Sequence, residues 1–168
     1  MSDRVTFVRR KQRPVSSPYS LPLAELLLRE SARAERYNHF FSVLLIRPQE
    51  LDAGEVLRRT RDKLRACDVA GILDREGLYH RLPLRGRNGQ RKSEAIPSGS
   101  SQKLVIVLPE TGRTGAKVVE RRIQKRLMED NDTHIGIAVY PDDSTRPENL
   151  LDIARAGDNV FRQENESS

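Results

Sequence analysis

Gly112-Arg113-Thr114-Gly115-Ala116-Lys117 follows an apolar run and opens a helical pattern, the setting in which a phosphate-binding loop occurs. Such a loop needs four residues between its glycines, so that backbone N–H groups can wrap a phosphate, and a Ser or Thr after the lysine to hold Mg²⁺. Here two residues separate the glycines and Val118 follows the lysine, so the segment reads as a helix N-terminus with turn glycines. His39, His80 and His134 could ligate a metal or move a proton. None is paired at i, i+4, and none has an acid placed to complete a ligand cluster. Each reads as a surface or half-buried structural side chain. Asp142-Asp143 and Glu129-Asp130 lie beside turns, where Asp favours capping. No Gly-x-Ser-x-Gly nucleophile motif occurs. The lone cysteine, Cys67, excludes an internal disulfide and a Cys-based zinc site. The motifs thus offer no catalytic residue, no metal site and no cofactor.

The elements that position these residues follow from hydrophobic period. Leu23, Leu26, Leu27, Glu30, Ala34 and Tyr37 recur at helical spacing, with Pro22 fitting the first turn, and predict a helix ending near Asn38. Phe40–Ile46 is short, apolar and β-prone, and Pro48 stops it, which predicts a buried strand. Leu51–Leu64 predicts a second helix with Leu51, Val56, Leu57, Thr60 and Leu64 inward. Val69–Leu73 is a short strand, and Leu78–Leu84 its returning partner across the Asp74-Arg75-Glu76-Gly77 turn. Leu104–Leu108 is the strongest strand. A helix over Thr114–Met128, a strand over Ile135–Tyr140 and a closing helix over Glu148–Phe161 follow. Apolar strands alternate with amphipathic helices around a central hairpin. The expected fold is α+β, a βαββαβ sheet with helices packed on it.

Length and charge fit one such domain. The chain has 168 residues, 36% hydrophobic and 32% charged. No apolar run approaches the ~20 residues of a membrane span, and Met1–Lys11 lacks the apolar core of a secretory signal. A cytoplasmic location, with no membrane contact, is the expectation. Residues 1–20 read as a disordered basic arm, 21–162 as the domain, and 163–168 as a frayed tail. Residues 85–102, rich in Gly, Ser, Arg and Lys, form a flexible insertion of a length uncommon inside compact domains. The net charge is +6; the arm carries +4 and residues 85–103 another +4, leaving −2 for the remainder. Basicity in flexible segments favours weak, salt-sensitive contact with polyanions over a specific nucleic-acid groove, so nucleic acid is not expected as a partner.

Three segments together resemble the GGDEF, or diguanylate-cyclase-like, family. RESARAERYNHFFSVLLI (residues 29–46) matches its first helix and strand. LVIVLPET (104–111), followed by AKVVERRIQKRL, matches a later strand and helix. HIGIAVYPDD (134–143), followed by ENLLDIARAGDNVF, matches the last strand and helix. The resemblance covers about residues 21–162 and implies the palm-like sheet expected above. Family cyclases join two GTP molecules into cyclic di-GMP, with two half-sites meeting in a dimer and Mg²⁺ or Mn²⁺ held on carboxylates.

The resemblance places the first metal-binding carboxylate at Arg47, which cannot bind a metal. Counting forward from Asp68 puts the five-residue signature on Asp74-Arg75-Glu76-Gly77-Leu78. Counting back from Leu104 puts it on Ser100-Ser101-Gln102-Lys103-Leu104. The two anchors differ by 26 residues, which is an insertion in the catalytic hairpin. Neither segment keeps the adjacent glycines, and Glu76 alone could mimic an acidic position. The resemblance thus implies a domain without cyclase activity, serving as a regulatory or protein-interaction module in bacterial signalling, and is compatible with a homodimer. Arg65-Ala66-Cys67-Asp68 has the R-x-x-D form of the family's product-binding inhibitory site. An arginine can pair with the guanine O6/N7 edge and an aspartate can accept from N1–H and N2–H, so Arg65 and Asp68 are candidate ligands of cyclic di-GMP. A third reading is polyanion binding through the basic arm and loop.

Overall fold

The computed structural model describes residues 23–74, 79–82, 102–127 and 133–165. The expected basic arm, Glu76, the insertion up to residue 101 and the last three residues lie outside the described residues.

The elements are α1 (Leu23–Tyr37), β1 (Phe41–Arg47), α2 (Ala53–Thr60), β2 (Val69–Leu73), β3 (Tyr79–Leu82), β4 (Lys103–Pro109), α3 (Arg113–Arg126), β5 (His134–Tyr140) and α4 (Leu150–Asn165). The strands form one sheet in the order β3-β2-β4-β1-β5, antiparallel throughout. The expected βαββαβ order is β1-α2-β2-β4-α3-β5. β3 adds a strand to its outer edge, pairing Leu73 with Tyr79 while β2 pairs on its other side with β4.

Alternation along the strands divides the core in two. Val43 and Leu45 of β1, Val105 and Val107 of β4, and Ala138 and Tyr140 of β5 face α1 and α4. Leu44, Ile46, Leu104, Ile106 and Leu108 face α2 and α3. β1 and β4 are thus covered on both faces, which is why they read as continuous apolar runs rather than alternating ones.

Several boundaries differ from expectation for local reasons. The second helix begins at Ala53 because Asp52 caps it, Oδ1 accepting the Glu55 N–H at 2.7 Å. It ends at Thr60 and tightens into a 3₁₀ turn over Arg61–Lys63. Tyr37, expected on the buried face, is 58% exposed. Asn38 takes φ 52°, the left-handed conformation that ends helices, and His39 N–H closes on the Ala34 carbonyl at 2.9 Å. The Tyr37 ring therefore faces His39, centroids 6.3 Å apart, instead of the sheet. Ser31, not Glu30, takes the inward place on α1. Gln102, expected in the loop, is buried at the head of β4. α4 runs to Asn165, past the expected end at Phe161.

Candidate functional site

Arg65 and Asp68 sit on the turn that leads into β2. Asp68 N–H donates to the Arg65 carbonyl at 3.2 Å, and Asp68 Oδ2 accepts the Arg65 N–H at 2.6 Å. The Cys67 Sγ lies 3.9 Å from Asp68 Oδ1. Asp68 is 6% exposed, and burial raises its carboxyl pKa against the lowering effects of the Arg65 N–H and the Arg65 charge. The aspartate therefore closes its own turn, while Arg65 beside it is exposed. The two residues are together where the R-x-x-D pattern put them, with one carboxylate oxygen committed to backbone.

The C-terminal end of β1 carries the position where the resemblance calls for a metal carboxylate. Arg47 stands there, half-buried, opposite His134 of β5 in the strand register. The register that pairs Ile46 with Leu104 brings half-buried Lys103 of β4 to its other side. Lys103, Arg47 and His134 thus form a row across three neighbouring strands. At the end of β2, Asp74 Oδ2 lies 3.2 Å from His80 Nε2. Divalent ions need several oxygen ligands of negative charge. A row of basic side chains repels them, so the residues described here do not fit a pair of catalytic Mg²⁺ or Mn²⁺ ions. Among the described residues no three His, Cys, Asp or Glu side chains are grouped to hold a metal.

Leu73 and Lys103 are paired, and residues 74–102 connect them, with β3 folded back along β2. Strand register was needed to see that Lys103 and His134 flank Arg47; in sequence these residues are far apart and carry no shared spacing.

The other motifs take structural places. Gly112 is the N-cap of α3, its carbonyl accepting Ala116 N–H at 2.9 Å. Asp143 Oδ2 accepts the Val139 N–H at 2.7 Å, and its carboxylate pairs with Arg113. It secures the turn after β5 to the start of α3. His39 is exposed beside Tyr37. Glu129 and Asp130 lie outside the described residues. No described helix is long and apolar enough to cross a membrane.

This palm-like α+β sheet, flanked by two helices on each face, is the fold of GGDEF diguanylate-cyclase domains. The diguanylate cyclase SiaD from Pseudomonas aeruginosa, solved in complex with its activator SiaC, superposes with a TM-score of 0.53 at 14% identity. The match covers 84% of this chain and 54% of that one, so the chain spans about half of that cyclase's length. A sensory box/GGDEF family protein from Caulobacter crescentus gives the same TM-score and identity, with 84% of this chain and 90% of that chain covered. At this identity the likeness is one of fold. The sequence matches no protein-family model and no curated protein.

Proposed function

We propose that this chain is a GGDEF-like signalling domain that has lost cyclase activity and acts in the bacterial cytoplasm as a regulatory module, by binding a protein. The observation that carries the reading is Arg47. It occupies the end of β1 with Lys103 and His134 on either side, where the chemistry of two-metal phosphoryl transfer needs carboxylates. The 29 residues joining Leu73 to Lys103, in place of a tight hairpin, support the same conclusion. A protein partner is in keeping with the cyclase–activator complex named above. The test is direct. The full chain, incubated with GTP and Mg²⁺ or Mn²⁺, forms no cyclic di-GMP. Product above the level of a heat-treated control overturns the reading.

A second reading makes the domain a cyclic di-GMP receptor through Arg65 and Asp68. The favouring observation is that the turn into β2 holds an exposed arginine three residues before Asp68. Titration calorimetry with the dinucleotide gives heat for the wild type and none for Arg65→Ala. An absence of heat from the wild type, or equal binding by the variant, removes this reading.

A further inference from the structure

The fold sorts charge in a way that segment totals conceal. α2 and α3 lie side by side on one face of the sheet, over Leu44, Ile46, Leu104 and Ile106. Arg126 Nε donates to the Arg59 carbonyl at 3.4 Å across the two helices. From Ala53 to Arg65, five Arg and Lys stand against two acids; in α3, six stand against one. The layer nets +8. On the opposite face α1 nets zero, with three of each sign, and α4 nets −1, with two bases and three acids. The folded body is not mildly acidic throughout: one helical layer is strongly cationic and the other is nearly neutral.

Local pairing does not cancel this charge. Glu55 takes Arg58 and Arg59, Asp62 takes Lys63, Lys117 takes Glu120, and Arg113 pairs with Asp143 of the turn after β5. Arg61, Arg121, Arg122 and Lys125 are exposed and have no ion pair among the described residues. Arg121, Arg122 and Lys125 lie on α3 away from the inward Ala116, Ile123 and Leu127. The face carries one exposed large apolar side chain, Val118, at 39%. Protein interfaces are organised around apolar and aromatic anchors, and membrane-surface helices need an apolar face to insert. This layer has neither. It offers arginine-rich charge along α3, which at 14 residues is about 21 Å long. Over that length a nucleic-acid strand presents about six phosphates.

We propose that the α2/α3 layer is a nucleic-acid-binding surface that contacts the phosphate backbone without reading sequence. This site lies on the folded body and is independent of both the arm and the 85–102 loop. Arginine forks suit phosphate oxygens, and the binding is carried by release of counterions.

The test uses the full chain and fluorescence anisotropy with labelled 20-nucleotide DNA, single-stranded and duplex, from 50 to 200 mM salt. The R121E/R122E/K125E variant is compared with R29E/R36E/R155E, which makes the same charge change on exposed residues of the opposite layer. The first lowers affinity at least tenfold and reduces the salt slope by about 3. The second changes affinity less than threefold, and deletion of 85–102 leaves most of the binding. Should the first variant lose its helical circular dichroism, R121E and K125E are read singly, each reducing the slope by about 1. Three outcomes overturn the proposal: no DNA binding by the wild type, equal losses from the two triple variants, or equally tight binding of polyglutamate or of anionic vesicles.

Discussion

Asp68 Oδ2 accepts the backbone N–H of Arg65 at 2.6 Å, so the aspartate of the R-x-x-D pattern holds the turn that starts β2. Burial raises its carboxyl pKa above the ordinary 3.8, and the folded protein keeps this proton to higher pH than the unfolded chain does. For a raised pKa the contribution to stability is fully present below about pH 3.8 and is lost as pH rises through the folded value. Asp68→Asn keeps an acceptor for the Arg65 N–H and removes the titration. The stability of wild type minus that of D68N, from urea unfolding, therefore falls as pH rises above about 3.8. A flat difference excludes burial as the dominant influence on Asp68. Asp68→Ala, which leaves the Arg65 N–H without its acceptor, is less stable than Asp68→Asn by about 1–3 kcal/mol at every pH, because neither variant titrates.

Gly136 of β5 sets how closely α4 approaches the sheet. A Cβ built on it would meet the Ala154 carbonyl oxygen at 1.8 Å, and that oxygen is helix backbone with no rotamer to adopt. Gly136→Ala pushes α4 outward and loosens the packing of Ala154 and Leu150 on Val43 and Ala138. A loss of about 3 kcal/mol is expected, the upper part of the overpacking range. Gly157→Ala on the same helix is the control. A Cβ there meets nothing within 4 Å, and alanine suits a helix interior better than glycine does. Thermal melts of the two variants move in opposite directions.

The helices and strands were legible because both core faces impose strict periods. Leu44, Ile46, Leu104 and Ile106 alternate with Val43, Leu45, Val105 and Val107 on paired strands, and α1 and α3 carry apolar stripes at helical spacing. The basic residue at the end of β1 was legible too, because Pro48 marks where that strand stops. What escaped were features made by pairing across the fold. Lys103 and His134 join Arg47 only through strand register. The commitment of Asp68 depends on a hydrogen bond that a four-residue pattern does not specify. The charge of α3 was averaged away in a segment sum that included the acidic stretches of the opposite layer. Tyr37 fits the helical period of α1 but is its last residue, immediately before Asn38 turns the chain, and the period alone does not show that its ring lies outside the core.

Tyr140 ties the last strand to α1. Its hydroxyl donates to Glu35 Oε1 at 2.8 Å, and its ring stacks on Phe41 with centroids 5.0 Å apart. Tyr140→Phe keeps the stack and removes one hydrogen bond to a carboxylate, which corresponds to about 1.5 kcal/mol. Glu35→Gln retains an acceptor and loses less. In a double-mutant cycle the two changes are non-additive, because both report one contact. Additive losses in chemical denaturation would show that the hydroxyl and the carboxylate act separately.

Arg47→Asp tests whether a single residue stands between this chain and cyclase chemistry. The substitution restores a carboxylate to the end of β1. It leaves Lys103 and His134 on the neighbouring strands, and leaves residues 74–102 where a tight hairpin would have to bring backbone and a second acid to the nucleotide. A carboxylate flanked by a lysine finds its partner in that ammonium, and a divalent ion competing for it must overcome the same positive charge. R47D is therefore expected to show no Mn²⁺ binding by calorimetry at up to millimolar metal and no cyclic di-GMP from GTP. Removing a half-buried guanidinium and its packing lowers stability, by about 1–2 kcal/mol in urea unfolding. If R47D gains either metal affinity or product, the proposed loss of activity rests on one side chain. If it gains neither, the proposed loss does not rest on Arg47 alone, and the next substitution to make is replacement of residues 74–102 together with Arg47.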